Sequence, residues 1–300
     1  MESKKAIYDI IPGEYYPATL FFHAGTAKDI VIESIQKRGL KFPLVGKPDI
    51  GMKGLSVKKL ETEKDVIEYT NESKVNFLIQ EFVPYENEVG IFYYRFPNER
   101  RGHISGIVSK EFVRVTGDGS SKIIDLLKKD KRYILQLSVL KKMYGEDLNK
   151  VLPVDEDFVL VPYGNHVRGA KFIDASHLID EKLTGSIDAV CQQVDRFYYG
   201  RLDVRYHTWE ELREGKNFSI IELNGAGSEP THIYDPKHSI FFAWKEIIRH
   251  LNILWKISQA NHKQMKKPYM KTSAGLQMLR ENKQYVKLIT GSRNLVSANA

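Results

Sequence analysis

The sequence predicts an α+β protein in which antiparallel sheets are covered on one side by helices. Three observations predict it. Short apolar runs bounded by turn residues recur at 42–47, 55–60, 77–82 and 88–96, as in hairpins and meanders. Segments with apolar residues at helical spacing interrupt these runs. No tandem repeat or low-complexity linker divides the chain.

Each element follows from local pattern. Residues 42–47, Phe-Pro-Leu-Val-Gly-Lys, read as a buried strand. A glycine-bearing turn, 49–54, leads into a returning strand over 55–60, which makes a hairpin. Residues 62–71 read as a helix, with Thr62 and Asp65 spaced as an N-terminal cap. Strands are expected at 77–82 and 88–96. A turn at 98–102 leads into another strand through Val108. Residues 121–142 look helical and basic, and 158–162 reads as a strand. Ile187, Val190, Cys191, Val194, Phe197 and Tyr198 recur at helical spacing, so 186–198 is a helix with one apolar face and Cys191 in the core. Residues 201–206 and 218–223 read as two strands, and 238–258 as a long amphipathic helix. The basic last forty residues add another helix.

Length and composition set limits. A chain of 300 residues suffices for one large domain or two modest ones. Its 42% hydrophobic and 28% charged residues are ordinary for a soluble globular protein. No run of about 18 apolar residues exists to span a membrane. No signal-peptide stretch follows Met1, and the single cysteine excludes an internal disulfide, so a cytoplasmic location is expected. The formal charge of +7 suits a polyphosphate ligand, a nucleic acid or an anionic surface. Much of that excess lies after Lys256, at Lys263, Lys266, Lys267 and Lys271, and no nucleic-acid motif is present, so no nucleic-acid partner is expected.

Three constellations could carry chemistry. On a strand, residues i and i+2 share a face, so Glu222 and Asn224 present two oxygen ligands side by side. Asp203 lies on the preceding strand, and paired strands are about 4.8 Å apart. Such hard donors suit magnesium, although they could equally be polar residues at strand ends. In the 42–60 hairpin, Lys47 and the glycines Gly51 and Gly54 could cradle an anion, or could be a plain turn beside a solvated lysine. The segment Ile79-Gln80-Glu81-Phe82-Val83-Pro84 exposes backbone donors and acceptors that fit an adenine edge. Glu88 could hold a ribose diol, or could belong to a solvated hairpin.

The order of these motifs resembles the ATP-grasp superfamily, and in particular its D-alanine–D-alanine ligase branch. The resemblance covers residues 3–235. It rests on Lys47-Pro48-Asp49 with its glycine loop, Gln80-Glu81-Phe82-Val83-Pro84 with Glu88, Arg201-x-Asp203 and Glu222-x-Asn224. It implies two α+β lobes enclosing ATP: a small lobe over 1–82, a large metal-bearing lobe over 83–262, and a basic tail over 263–300. Lys47 and Lys4, with Lys5 as the latter's neighbouring rival, would be the ATP lysines. Gly51 to Ser56, including Lys53 and Gly54, would be the loop closing over the phosphates. Glu81 would meet the adenine amino group, Phe82 and Val83 would supply hinge bonds, and Glu88 would bind ribose. Asp203, Glu222 and Asn224 would hold Mg2+, and Arg201 would stabilise the transferring phosphoryl group. Lys110, Arg114 and Arg168 would add positive charge.

The implied reaction joins a small-molecule carboxylate to an amine through an acylphosphate. A phosphotransferase acting on a hydroxyl and a non-catalytic nucleotide-binding module are the alternatives. The loop 224–230, with Gly227, would form the oxyanion site, but it departs from the ligase pattern and puts D-alanine in question. His232, just beyond this loop, is the histidine to watch. The chain also starts where the family's central domain begins. The expectation is then a stripped-down site, a partner that supplies the family's first domain, or a chain that is a fragment, and a homodimer is the other partner considered.

Overall fold

The computed structural model describes residues 3–51, 54, 56–161, 164, 169–266 and 268–290. The strands are β1 (Thr19–Phe22), β2 (Leu44–Pro48), β3 (Lys58–Leu60), β4 (Phe77–Glu81), β5 (Asn87–Tyr94), β6 (His103–Glu111), β7 (Val113–Thr116), β8 (Asp157–Val161), β9 (Lys171–Asp174), β10 (Tyr199–Tyr206) and β11 (Phe218–Asn224). They form a four-stranded sheet in the order β1-β4-β2-β3, a five-stranded sheet in the order β11-β10-β5-β6-β9, and a β7-β8 ribbon. The pairings within these sheets are antiparallel.

Period-two alternation gives each sheet two different faces. In the small sheet, Leu44, Phe77 and Ile79 pack with Val31, Ile35, Val66 and Tyr69 of helices Lys28–Arg38 and Glu63–Glu72. The intervening residues, Val45, Lys47 and Gln80, face the other way and line a cleft. In the large sheet, Val89, Ile91 and Tyr93 pack against Leu183, Ile187, Val190 and Cys191 of helix Glu181–Gln193. On the opposite face, Phe92 and Tyr199 pack with Ile253 and Ile257 of helix Ile240–Met265. That helix covers one end of the face and leaves the end bearing Glu88 to the cleft. The ribbon has its own core, shared with helices Ile123–Lys128, Lys131–Ile134 and Leu137–Tyr144.

The predicted elements are largely present, with physical reasons where they shift. The 42–60 hairpin pairs Leu44 with Leu60. Thr62 and Asp65 form the full capping box: the Asp65 amide donates to the Thr62 hydroxyl, and the Thr62 amide donates to the Asp65 carboxylate at 2.9 Å. The expected 121–142 helix is instead three short helices, the second capped by Asp130, whose carboxylate accepts from the Arg132 amide. The helix expected at 186–198 runs over Glu181–Gln193, because Asp180 caps its start. Val194 and Phe197 lie past its end yet remain buried, so apolar spacing there reports the core rather than the helix. Strand β1 and helix Lys28–Arg38 carry too weak a pattern to be assigned from sequence. The tail forms helix Thr272–Thr290. Among the described residues, no helix is long and apolar enough to cross a membrane.

Candidate functional site

The cleft between the two sheets has a cavity volume of about 170 Å³ and opens to solvent. Val45, Lys47, Gln80, Glu81, Phe82 and Val83 come from the small sheet and its exit strand. Glu88, Lys110, Asp203, Arg205, Ile221 and Glu222 come from the large sheet, and Lys4, Gly51, Gly54 and Gly164 complete the lining.

Strand register builds the large-sheet wall. Glu88 on β5 faces Arg205 on β10. Its carboxylate accepts from the Lys110 Nζ of β6 at 2.8 Å and lies 3.5 Å from Arg205 Nε. One step along, Gly90 faces Asp203, and Asp203 faces Glu222 on β11. A Cβ at position 90 would lie 3.1 Å from the Asp203 carboxylate and 2.8 Å from Val108, so glycine leaves room for that side chain. One step further, Arg201 faces Asn224. Arg201, Asp203, Glu222 and Asn224 thus form a square on one sheet face. Arg201 donates to both Asp203 oxygens, at 2.8 and 3.1 Å, and Lys110 lies 3.1 Å from the second. Burial alone would raise the Asp203 carboxyl, but the Arg201 and Lys110 charges hold it below the usual carboxylate range. Burial likewise works against the Lys110 charge, but Asp203 and Glu88 outweigh it and push its pKa up.

The small-sheet wall is built differently. Lys47 Nζ donates to Tyr8 Oη at 2.7 Å, Gln80 Oε1 at 2.8 Å and the Ile221 carbonyl at 3.3 Å. These acceptors are neutral. Burial therefore lowers Lys47 to about 8, with Glu222 only partly opposing the shift. Lys4, 3.5 Å from the Asp49 carbonyl, is also lowered by burial against the pull of Glu222.

The donor set fits magnesium. Among the described residues no partner hydrogen-bonds or ion-pairs with the Glu222 carboxylate, and Asn224 offers an amide oxygen beside it on the same strand face. Two carboxylates and an amide suit a cation that completes its shell with water and phosphate oxygens. No cluster of three or more His, Cys, Asp or Glu side chains competes for a metal among the described residues.

A second cavity adjoins the first, sharing Lys4, Gly51 and Glu222 with it. Asn224, Gly227 and Ser228 line it from the 224–230 loop, and Met270 and Met278 line it from the tail. The tail thus contributes to a cavity wall, a role its composition did not suggest.

The structure gathers most of the expected residues. Lys4, Lys47, Gly51, Gly54, Glu81, Phe82, Val83, Glu88, Lys110, Asp203 and Glu222 line the cleft. Asn224 and Gly227 line its neighbour, and Arg201 reaches the wall through Asp203. Lys5 turns away to pair with Asp9, which leaves Lys4 at the cleft. Ser56 lies outside the lining; its carbonyl accepts from Tyr69 Oη at 3.0 Å. Arg114 does not reach the site: it is exposed on β7, 3.7 Å from Asp157. Lys53 and Arg168 lie outside the described residues. His232 lies outside the lining of both cavities, buried, with its Nε2 3.1 Å from Glu246 of helix Ile240–Met265. Sequence reasoning missed Arg205. It continues the Arg201-x-Asp203 alternation by two, and its Nη1 donates to the Val83 carbonyl at 3.0 Å. It also missed Tyr8, and it placed Gln80 in the adenine-edge segment without its contact to Lys47.

No protein-family model matches the chain, and no curated protein matches it significantly. Solved structures do match. D-alanine–D-alanine ligase from Bacillus anthracis superposes with a TM-score of 0.50 over 88% of this chain and 68% of its own, at 15% identity. The chain has the ATP-grasp fold. The VanG D-Ala:D-Ser ligase from Enterococcus faecalis matches at 0.46 and 14% identity, over 86% of this chain and 61% of its own. A bifunctional glutathione synthetase from Pasteurella multocida matches at 0.44 and 14% identity, over 85% of this chain. The chain spans 36% of that synthetase's length. Within this fold the cleft lies between the small sheet and the large one.

Proposed function

We propose that the chain is an ATP-dependent ligase that joins a carboxylate to an amine. One observation carries the reading. A single cleft of this fold brings Lys4, Lys47, Lys110 and Arg205 together with the Asp203–Glu222 pair, and Arg201 and Asn224 complete the square beside it. The cations suit a polyphosphate, and the acids suit its metal.

In this reading residues 1–82 and 83–262 are the lobes on either side of ATP. The Glu81–Val83 backbone receives adenine, and Arg205 fixes Val83 from behind. Lys47 and Lys4 meet the phosphates, with Gly51 and Gly54 beside them. Asp203, Glu222 and Asn224 would hold magnesium, which supplies neutralisation of phosphate charge when bound. Arg201 and Lys110 exchange Asp203 oxygens for phosphoryl oxygens as the nucleotide enters.

The chemistry needs no side-chain nucleophile. A carboxylate oxygen attacks the γ-phosphorus, and the bond to the ADP oxygen breaks. The resulting acylphosphate is attacked at its carbonyl carbon by an amine. Phosphate leaves with the bonding electrons, and the amine loses a proton. Positioning and charge neutralisation supply the acceleration. The second cavity, meeting the first at Lys4, Gly51 and Glu222, is where the carboxylate would lie.

Hydroxylamine trapping tests this reading. Protein, ATP, magnesium, pooled carboxylates and hydroxylamine should give ADP with carboxylate-dependent hydroxamate. ADP with a stable phosphate ester and no hydroxamate would establish a phosphotransferase instead. Nucleotide binding without turnover on any pool would leave only a binding module.

A further inference from the structure

Helix Ile240–Met265 has two faces of opposite use. Glu246, His250, Ile253 and Ile257 are buried against the large sheet. The other face is open: Phe241 is 72% exposed, Trp244 55%, Ile248 66%, Leu251 58% and Trp255 58%. Their spacing of three and four, repeated twice, makes a continuous apolar stripe of the kind that packs against a second helix, about 21 Å long at 1.5 Å per residue. This face is not a core stripe, because the core stripe of the same helix is already occupied.

Its size is out of proportion for a free surface. A Phe or Trp carries about 150–250 Å² of buriable area, so three of them more than half exposed present about 300–400 Å². Ile248 and Leu251 extend the patch, with Ile240 and Ile247 beside them. Free monomers rarely show a contiguous apolar patch above a few hundred Å². A standard interface needs about 800 Å² per partner, and this stripe with its flanks approaches that.

We propose that the stripe is the interface between two copies of this chain, packed antiparallel about a two-fold axis at Ile248. The pattern is close to self-complementary about that residue. Ile248 meets Ile248, Phe241 meets Trp255 of the second copy, and Trp244 falls opposite Asn252, one residue from its Leu251. Charge selects the direction. Lys245 and Lys256 flank the seam, and both are exposed. A parallel pair sets each lysine against its own copy, whereas the antiparallel pair sets Lys245 beside Leu251 and Lys256 beside Ile240. The arrangement does not depend on the ligase reading. Both cavities are lined by other elements and stay open.

Sedimentation velocity on the full chain from 1 to 100 µM, with Ile248→Glu and Trp244→Glu variants, tests it. The expected result is a species of twice the 34.6 kDa chain mass that both variants convert to the chain mass. Circular dichroism and binding of a fluorescent ATP analogue should be unchanged, because both side chains are exposed and neither lines the cleft. Ile248→Cys should give an oxidation-dependent covalent dimer, since the native Cys191 is buried. Chain mass at every concentration, or a dimer indifferent to Ile248→Glu, overturns the proposal. So does co-flotation with phosphatidylcholine–phosphatidylglycerol vesicles without self-association, which would make the stripe a lipid-facing surface.

Discussion

Lys47 and Lys110 stand on opposite walls of the same cleft, both buried. Lys47 has a phenol, an amide and a carbonyl as partners, and burial draws its pKa down to about 8. Lys110 has two carboxylates, and its pKa rises despite burial. Burial opposes both charges, so the partners decide the sign. The large-sheet wall is thus a fixed set of charges that must re-pair when an anion enters. The small-sheet wall holds a lysine whose charge an incoming phosphate would itself stabilise.

The comparison breaks most visibly at Lys110. Lys110→Met leaves Glu88 and Asp203 short of a buried partner. It should cost about 3–5 kcal/mol in urea unfolding and lower turnover roughly 10²–10³-fold. Lys47→Met removes a lysine that pairs with no carboxylate. Its stability cost should be only about 1–2 kcal/mol, while ATP affinity measured by calorimetry collapses. Equal stability losses in the two variants would show that the walls are alike.

A pH titration sharpens the same contrast. Lys47 is charged below its folded pKa of about 8 and neutral above it. ATP affinity should therefore fall above pH 8, by about tenfold per pH unit while the bound lysine stays protonated. Lys47→Arg should abolish that dependence. For folding, the folded pKa lies below the unfolded one, so the unfolded chain binds more protons between pH 8 and about 10.5. This lysine's contribution to stability accordingly rises across that window, which thermal melts of wild type and Lys47→Met would compare. The smallest effect belongs outside the cleft. Thr62→Ala should lose about 1 kcal/mol with its capping box and leave ATP affinity unchanged.

Much of the fold was legible because patterns are local. The hairpin over 42–60, the Thr62 cap and strands β10 and β11 follow from alternation, turn glycines and cap chemistry within a few residues. The Arg201-x-Asp203 and Glu222-x-Asn224 pairs were visible for the same reason: period two fixes which side chains share a face. Arg205 fits the same alternation and was legible in principle. Tyr8 was not, because nothing in residues 1–15 announces that its hydroxyl meets Lys47 and the Ile221 carbonyl. Helix Lys28–Arg38 has only Val31 and Ile35 buried, too few to mark a stripe.

By itself, the sequence determined which side chains could stand together on a strand, and therefore the donor set of the cleft. The tertiary structure decided their electrostatics and their company. It set Asp203 between Arg201 and Lys110, gave Lys47 its neutral partners, brought Met270 and Met278 to the second cavity, and left one face of helix Ile240–Met265 open. The physical reason is range. Alternation and capping act over two to four residues, whereas desolvation and ion pairing also depend on groups that the chain brings together from far along its length, 39 residues for Lys47 and Tyr8 and 174 for Lys47 and the Ile221 carbonyl.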